Sequence, residues 1–231
     1  MIQTHSAWAL VIACGKSEQI SPDVDTAFLQ MGDQPILSHS LIALERCLEI
    51  DGIVVIAAKD RMDHVVGMAR MYGTPKLKKI AVGAVQKTTS IRAGLKALED
   101  VGASLVVLHE ASQPCISPAT ISETIKNAKR YGVSAAGNRI EAPATVVPKG
   151  LKATKCIADN SIWEIHSPVA AKLDVLQKAL ASKAGSSKNE EANFMERLCK
   201  TAHMVQVDTF ARRIRTLSDI QIIAGAMRVK E

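Results

Sequence analysis

The sequence predicts an α/β fold in which a doubly wound, mainly parallel sheet carries helices on both faces. Strand-like and helix-like segments alternate four times between residues 9 and 132, which is typical of parallel sheets. The strand-like segments are unbroken apolar runs such as "AWALVIA" and "SLVVL", as expected for strands covered on both faces. The chain has 231 residues, enough for one core, and we predict a single domain over residues 1–231.

A helix is predicted after each of the first four strands. These strands are "AWALVIA", "GIVVIAA", "KKIAVG" and "SLVVLHE". Asp60 is the candidate N-cap of the second helix and Gly73 its candidate end. The third helix is expected to begin at a threonine or serine and to run to Gly102. The fourth has the clearest limits, with Ser117 as N-cap, a proline in the first position and Gly132 at the end.

The pattern becomes less regular after residue 133. The segment of residues 139–170 contains three prolines and only short apolar pieces, so we predict an arm or a β-hairpin there rather than a layer of the core. Helices are predicted at "KLDVLQKALASKAG" and "NFMERLCKTA", separated by the polar loop "SSKNEE", with a strand at "HMVQVD". A closing helix follows, with Thr216 or Ser218 as its N-cap.

The composition restricts the class of protein. Aromatic residues make up 3% of the chain, too few for a base-stacking platform, so we expect no nucleic-acid partner. The net charge of +6 suits a phosphorylated ligand, and it suits a role in solubility alone. No apolar run is long enough to span a bilayer and no signal peptide is evident, so we expect a cytoplasmic protein without a membrane partner. The five cysteines include no close pair, which favours free thiols.

Six sequence pieces occur in an order that resembles a known enzyme family. Ligands of parallel sheets bind at the carboxyl ends of the strands, where this chain has "ACGKSE" and "HEASQP". The other pieces are "FLQMGDQPILSHSL", "VGAVQKTTSIRAGLKAL", "NSIWEIHSP" and "RIRTLSDIQIIAGAM". Together they resemble the 2-C-methyl-D-erythritol 4-phosphate cytidylyltransferases and their sister ribitol-5-phosphate cytidylyltransferases, over roughly residues 7–225.

The resemblance implies a fold, a reaction and an assembly. The fold is the Rossmann-like, glycosyltransferase-A-like fold of nucleotidyltransferases, with a protruding β-arm at about residues 139–170. The reaction is transfer of CMP from CTP to a small phosphorylated polyol, with release of pyrophosphate and with one Mg²⁺ ion as cofactor. The assembly is a homodimer in which the β-arm reaches over the site of the partner subunit.

The resemblance also implies which residues form the site. Glu110 stands where the family has its aspartate ligand to magnesium, and Lys16 and Arg213 are the cations expected to act on the phosphates. The implied nucleotide contacts are Ala13, Cys14, Gly15, Ser17, Gly83, Lys87, Ser90 and Ala111. A structural interpretation stays open for several features. Gly15 suits any strand-to-helix turn, Ser90 suits a helix cap, and the arginines of residues 212–215 suit a solvated face.

Several cations of the family are replaced in this chain. The activating arginine falls on Glu18 or Gln19, and the lysine that braces the triphosphate falls on Thr26. The arginine after the fourth strand is Gln113, and the arginine that grips the acceptor phosphate falls on Asp159. Each charged donor lost from a transition state costs about 3 kcal/mol.

Two hypotheses of different class follow from this pattern. One is a divergent cytidylyltransferase that acts on 2-C-methyl-D-erythritol 4-phosphate or on another phosphorylated alcohol. The other is a pseudoenzyme that binds a nucleotide or a partner protein without catalysis. Release of pyrophosphate from CTP distinguishes the two hypotheses.

Overall fold

The computed structural model describes residues 6–17, 20–148, 151–157, 161–182, 185, 187–207 and 211–228. The strands are β1 Ala7–Ile12, β2 Lys16–Ser17, β3 Ser21–Asp25, β4 Gln30–Met31, β5 Gln34–Pro35, β6 Gly52–Ala57, β7 Leu77–Val82, β8 Leu105–Glu110, β9 Val133–Arg139, β10 Ala144–Val146, β11 Lys155–Ile157, β12 Trp163–Lys172 and β13 His203–Gln206. The α-helices are α1 Ile36–Arg46, α2 Met62–Met71, α3 Lys87–Lys96, α4 Pro118–Tyr131, α5 Leu173–Ala181, α6 Glu190–Cys199 and α7 Leu217–Arg228.

A seven-stranded central sheet organises the fold, in the order β13-β9-β12-β8-β1-β6-β7. Strand β1 lies between β6 and β8 and is parallel to both, and β7 is parallel to β6. Strand β12 is antiparallel to both of its neighbours, β8 and β9, while β13 is parallel to β9. The predicted α/β fold with a mainly parallel sheet is therefore confirmed.

Helices cover both faces of this sheet. Ala9 and Val11 of β1 belong to the apolar cluster that α1, α2 and α4 complete, whereas Trp8 and Leu10 belong to the cluster with α3, α5 and α6. Fully burying each large apolar side chain contributes about 1.5–3 kcal/mol. Gly52 in β6 leaves room for the indole of Trp8, because a Cβ there would lie 2.4 Å from the ring.

Three predicted helix boundaries are confirmed by hydrogen bonds or by the backbone angle at the helix end. The hydroxyl of Ser117 accepts a hydrogen bond from the Thr120 backbone amide at 3.0 Å, so Ser117 is the N-cap of α4. Gly132 follows α4 with a φ of 92°, which favours glycine. Of the two candidate caps of α7, Thr216 has this role, because its hydroxyl accepts from the Asp219 amide at 3.1 Å.

Three other predicted boundaries are wrong. Asp60 lies within the single 3-10 turn Lys59–Arg61, and Arg61 occupies the N-cap position of α2. Helix α3 begins after Gln86 rather than at a threonine or serine, and it ends at Lys96. Residues 97–102 form turns instead of a helical extension, because Gly102 at a φ of 64° reverses the chain before β8.

The predicted arm is shorter than the sequence indicated. Strands β10 and β11 pair with each other as an antiparallel hairpin outside the central sheet. Residues 163–170, however, belong to β12, which lies inside the sheet between β8 and β9. The register shifts between His166 and Val169, around Pro168, so this strand lacks the regular alternation by which it would have been recognised. Whether the β10–β11 hairpin reaches a second subunit stays a prediction.

None of the helices within the described ranges combines the length and the apolar character that crossing a bilayer requires.

Candidate functional site

A cavity of about 740 Å³ opens at the carboxyl ends of β1, β6, β7 and β8, where ligands of parallel sheets bind. The turns that follow these strands supply most of its wall, and the start of α6 and the segment before α7 complete it. The lining residues are Ile12, Ala13, Cys14, Gly15, Asp25, Thr26, Ala27, Ala58, Gly83, Ala84, Val85, Lys87, Ser90, Glu110, Ser112, Glu191, Arg213, Ile214 and Arg215.

The turn after β1 is held by backbone hydrogen bonds and by one carboxylate. Gly15 has a φ of 145°, which favours glycine. Its amide donates to Asp25 Oδ1 at 2.8 Å, and its carbonyl accepts from the Thr26 amide at 3.1 Å. Asp25 thus occupies a backbone donor that could otherwise bind a phosphate. The side chains of Lys16 and Ser17 lie outside the part of the chain that the structure describes.

The loop after β7 packs tightly against this turn. A Cβ on Gly83 would lie 2.5 Å from the sulfur of Cys14, so the close approach of the two segments requires glycine there. The hydroxyl of Ser90 is fully buried, accepts from the Ala84 amide at 2.9 Å and donates to the Ala84 carbonyl at 3.0 Å. Gln86 holds the N-cap position of α3. Ser90 is therefore not the helix cap, and its hydroxyl fixes the loop of residues 83–86.

Four charged side chains meet at one side of the cavity, and we call them the ion-pair cluster: Lys87, Glu110, Glu191 and Arg213. Glu110 forms ion pairs with both Lys87 and Arg213. Lys87 Nζ also lies 2.7 Å from Glu191 Oε1, and a guanidinium nitrogen of Arg213 lies 3.8 Å from the same oxygen. Burial opposes ionisation of Glu110, but the charges of Lys87 and Arg213 hold its pKa below the usual value.

Glu191 is a site residue that sequence reasoning missed. The sequence pattern predicts a polar loop at this position. In the structure, α6 begins at Glu190 and Glu191 lies in its first turn. The side chain of Asn189 caps this helix by accepting from the Glu191 amide at 2.9 Å. Acidic residues are common in the first turn because they interact favourably with the helix dipole, so the sequence carried no signal of a role in the cavity.

Two further predictions can be compared with the cavity wall. The predicted nucleotide contact of Ala111 has to be corrected. Ala111 is fully buried and its amide donates to the Ile12 carbonyl, so Ser112 lines the cavity in its place. Arg213 and Arg215 line the cavity, whereas Arg212 does not. Arg212 and Arg215 are both exposed and Arg213 is half-buried, so Arg212 is the arginine that fits a solvated face without a place in the cavity wall. The predicted positions Glu18, Gln19 and Asp159 lie outside the described residues.

The lining side chains carry no net formal charge among the described residues. The cations are Lys87, Arg213 and Arg215, and the carboxylates are Asp25, Glu110 and Glu191. Thr26 also lines the cavity and is buried, so a neutral hydroxyl stands at the position of the triphosphate-bracing lysine. A nucleoside triphosphate carries several negative charges, and this wall offsets few of them.

The cavity wall offers carboxylate oxygens, the ligands that magnesium prefers, but few of them are positioned to bind one ion. Mg²⁺ is commonly bound by one or two carboxylates together with substrate phosphates, and Glu110 offers one carboxylate at the cavity wall. Both of its oxygens are in ion pairs, so an ion at Glu110 has to displace Lys87 or Arg213. Within the described ranges no group of three or more histidine, cysteine or acidic side chains is arranged to hold a metal.

A buried hydrogen-bond network supports the loop that carries Glu110. His109 Nε2 lies 2.9 Å from the hydroxyl of Ser40, and His109 Nδ1 lies 3.0 Å from that of Ser167. Gln113 Oε1 accepts from the Ser167 amide at 2.6 Å and from its hydroxyl at 2.9 Å. The amide of Glu110 in turn donates to the Ser167 hydroxyl at 3.2 Å. An arginine at position 113 could not accept these bonds, so glutamine suits this network.

The network makes stability depend on pH. Burial lowers the pKa of His109 from 6.5 to about 4, so the folded state holds the neutral form while the unfolded state takes up a proton as the pH falls below 6.5. The stability that neutral His109 contributes is therefore present above pH 6.5 and is lost as the pH falls towards 4. Between pH 7 and pH 5 we expect a loss of about 2 kcal/mol from this residue.

Urea unfolding at pH 7 and pH 5 measures this loss, with His109→Asn as the comparison. The variant keeps an amide that can hydrogen-bond to the two serines but does not titrate, so its free energy of unfolding should change less with pH. Burial also lowers the pKa of His166, but that residue is common to both proteins. Equal pH dependence in the two proteins contradicts the prediction.

The chain is similar in sequence to one known protein family. The sequence model of the IspD family, described as 2-C-methyl-D-erythritol 4-phosphate cytidylyltransferase, matches residues 7–228. A 2-C-methyl-D-erythritol 4-phosphate cytidylyltransferase of Thermotoga neapolitana is 26% identical over 214 residues, which cover 93% of both chains. One from Lysinibacillus sphaericus is 25% identical over 210 residues, which cover 90% of both chains.

A solved structure has the same fold. The crystal structure of 4-diphosphocytidyl-2C-methyl-D-erythritol synthase from Anaerococcus prevotii superposes with a TM-score of 0.81 at 18% identity, and the match covers 98% of each chain.

Proposed function

This chain belongs to the 2-C-methyl-D-erythritol 4-phosphate cytidylyltransferase family, and from that premise we propose that it transfers CMP from CTP to 2-C-methyl-D-erythritol 4-phosphate or a related polyol phosphate. A phosphate oxygen of the acceptor forms a bond to the α-phosphorus of CTP. The bond between that phosphorus and the oxygen bridging to the β-phosphate breaks, and pyrophosphate leaves with the electron pair. No covalent bond to the protein is required.

The observation that carries the proposal is a pair of cations, Lys87 and Arg213, at the wall of a cavity at the carboxyl ends of the parallel strands. Phosphoryl transfer depends on positioning and on positive charge near the phosphates. Lys87 is the first residue of α3, and Arg213 lies in the segment before α7. We expect both cations to contact the phosphate chain, and we expect the loop of Gly83 and Ser90 to contact the nucleoside.

Magnesium is part of the proposal. Glu110 would hold the ion with one carboxylate oxygen, and the phosphates of CTP would supply further ligands. The bound ion would offset negative charge on the phosphates. Glu110 has to leave one of its ion pairs for this, which frees Lys87 or Arg213 to contact a phosphate.

Assembly and location complete the proposal. A homodimer through the β10–β11 hairpin is supported by the apolar side chains Val146, Val147 and Leu151, which are exposed in and beside that hairpin. A cytoplasmic location is supported by the five cysteines, which are all free thiols, as is usual in a reducing compartment.

Release of pyrophosphate tests the proposed reaction. The protein is incubated with CTP, MgCl₂ and either 2-C-methyl-D-erythritol 4-phosphate or ribitol 5-phosphate, and reactions without acceptor or with EDTA serve as controls. Release that depends on an acceptor supports the proposal, and the acceptor that gives it names the substrate. Absence of release with both acceptors, while CTP binds, contradicts it.

Binding without transfer is the second candidate function, and it is favoured by the balance of three cations and three carboxylates among the described lining side chains. A neutral wall still accommodates a nucleoside but stabilises little of the charge that develops on the phosphates. Calorimetry with CTP distinguishes the candidates when it is combined with the pyrophosphate assay. Micromolar binding without pyrophosphate release identifies a binding protein.

A further inference from the structure

We propose that Glu191 is an internal anion that occupies the phosphate-binding cations of the cavity and thereby sets its selectivity against highly charged phosphate chains. The proposal rests on the proposed function for the identity of the ligand, a cytidine nucleotide. It assigns a specificity-determining role to a side chain that the motifs of the sequence did not include.

The position of Glu191 supports this role. Its Oε1 lies 2.7 Å from Lys87 Nζ and 3.8 Å from a guanidinium nitrogen of Arg213, so one oxygen faces both cations, as a phosphate oxygen would. The side chain of Glu191 is 38% exposed, whereas the Lys87 side chain is only 15% exposed. Glu191 is therefore the more solvent-accessible member of this ion pair, and both residues line the cavity.

Within the ion-pair cluster, the contact of Glu191 leaves Lys87 and Arg213 with little uncompensated positive charge. Glu110 already neutralises one cation charge from the buried side, and Glu191 neutralises the other. A triphosphate that binds Lys87 and Arg213 has to displace Glu191 and then lies close to its negative charge. This cost rises with the number of charged phosphate oxygens, so it is large for CTP, smaller for CMP and absent for cytidine.

The fold keeps Glu191 in place. Asn189 caps α6 and fixes its first turn, and α6 packs against the sheet through Phe194, which is fully buried. Glu190, one residue earlier, pairs with Arg197 at 2.8 Å instead and does not line the cavity. The two neighbouring glutamates thus differ in partner while sharing the same turn, and Glu190 provides a matched control.

The test compares Glu191→Gln and Glu190→Gln with the wild-type protein by isothermal titration calorimetry. Each protein is titrated with CTP, cytidine and inorganic tripolyphosphate at a fixed salt concentration. We expect Glu191→Gln to bind CTP and tripolyphosphate about tenfold more tightly than wild type, because a charge-assisted contact no longer has to be broken. We expect Glu190→Gln to match wild type, and cytidine to bind all three proteins equally.

The outcomes separate this inference from the proposed function. If Glu191→Gln binds tripolyphosphate more tightly than wild type, the role of Glu191 is supported. If, in the same experiment, none of the three proteins binds CTP or cytidine, the proposed function is contradicted. Unchanged CTP and tripolyphosphate affinities in Glu191→Gln overturn the inference even when wild type binds CTP. Equal gains in Glu190→Gln and Glu191→Gln overturn it too, since they indicate an effect of net charge alone.

Discussion

Replacing Arg213 with alanine is expected to lower kcat/KM for pyrophosphate release from CTP about 100-fold. One preorganised cation contributes about 3 kcal/mol to the stabilisation of a charged transition state, which corresponds to a factor of about 100 in rate. Arg213 is one of only three cations that line the described part of the cavity, so few other charges can compensate. Its loss also leaves Glu110 with a single ion-pair partner, which adds negative charge where the phosphates are proposed to bind.

Two control variants separate this effect from a general loss of positive charge. Arg212→Ala removes the same charge one residue away, from an exposed side chain outside the cavity, and it should leave kcat/KM within about twofold of wild type. Arg213→Lys keeps the charge but loses the planar guanidinium, and it should give an intermediate rate. Equal losses in Arg212→Ala and Arg213→Ala would show that the cavity cations act only through the overall field of the protein.

The arrangement of the core was predictable from the sequence because burial leaves a local pattern. Strands β1, β6 and β8 are covered on both faces, and their unbroken apolar runs reveal this directly. Helix α4 was bounded correctly because Ser117 and Gly132 carry end signals that depend only on neighbouring residues. Strand β12 was missed because Pro168 and the register shift beside it remove the period-two pattern, although Val169 and Ala170 are buried in the sheet.

The site was predictable only as a set of chain positions. Aligned motifs placed Glu110, Lys87 and Arg213 near one another, but no local pattern indicates which side chain meets which. The pairing of Glu191 with Lys87 joins residues that are 104 positions apart, and contacts of this kind arise from the packing of α6. The same limit explains Ala111, because a match to a motif does not reveal that the side chain points into the core.

The structure also changes the meaning of the substitutions in the first loop. The family resemblance indicates that Thr26 stands in place of a lysine, and it assigns no role to the neighbouring Asp25. In the fold, the Asp25 carboxylate accepts a hydrogen bond from the Gly15 amide at 2.8 Å, so this turn holds an internal acceptor beside the neutral Thr26. Glu191 has a similar effect on Lys87 and Arg213. Among the lining side chains that the structure describes, three cations are balanced by three carboxylates, and single substitutions should shift this balance.

Restoring a cation at position 26 is expected to raise the rate of pyrophosphate release about 100-fold. Thr26 is buried and lines the cavity, at the position that the sequence resemblance aligns with a triphosphate-bracing lysine. The variant Thr26→Lys adds one positive charge to the side chains that line the described part of the cavity, and one well-placed cation stabilises the transition state by about 3 kcal/mol. Asp25 is already hydrogen-bonded to Gly15, so its carboxylate is partly engaged and competes less for the new ammonium group.

The control for this gain is Thr26→Met, which has a long side chain without charge. Both variants replace a buried threonine and lose its hydroxyl, so both should unfold at a similar, slightly lower temperature than wild type. Only Thr26→Lys should release pyrophosphate faster, and its KM for CTP should fall because the lysine also contacts the ground-state phosphates. An equal rise in the rate of pyrophosphate release by Thr26→Met would show that the gain comes from the size of the side chain and not from its charge. A folded Thr26→Lys variant that is no faster than wild type would show that position 26 does not face the triphosphate.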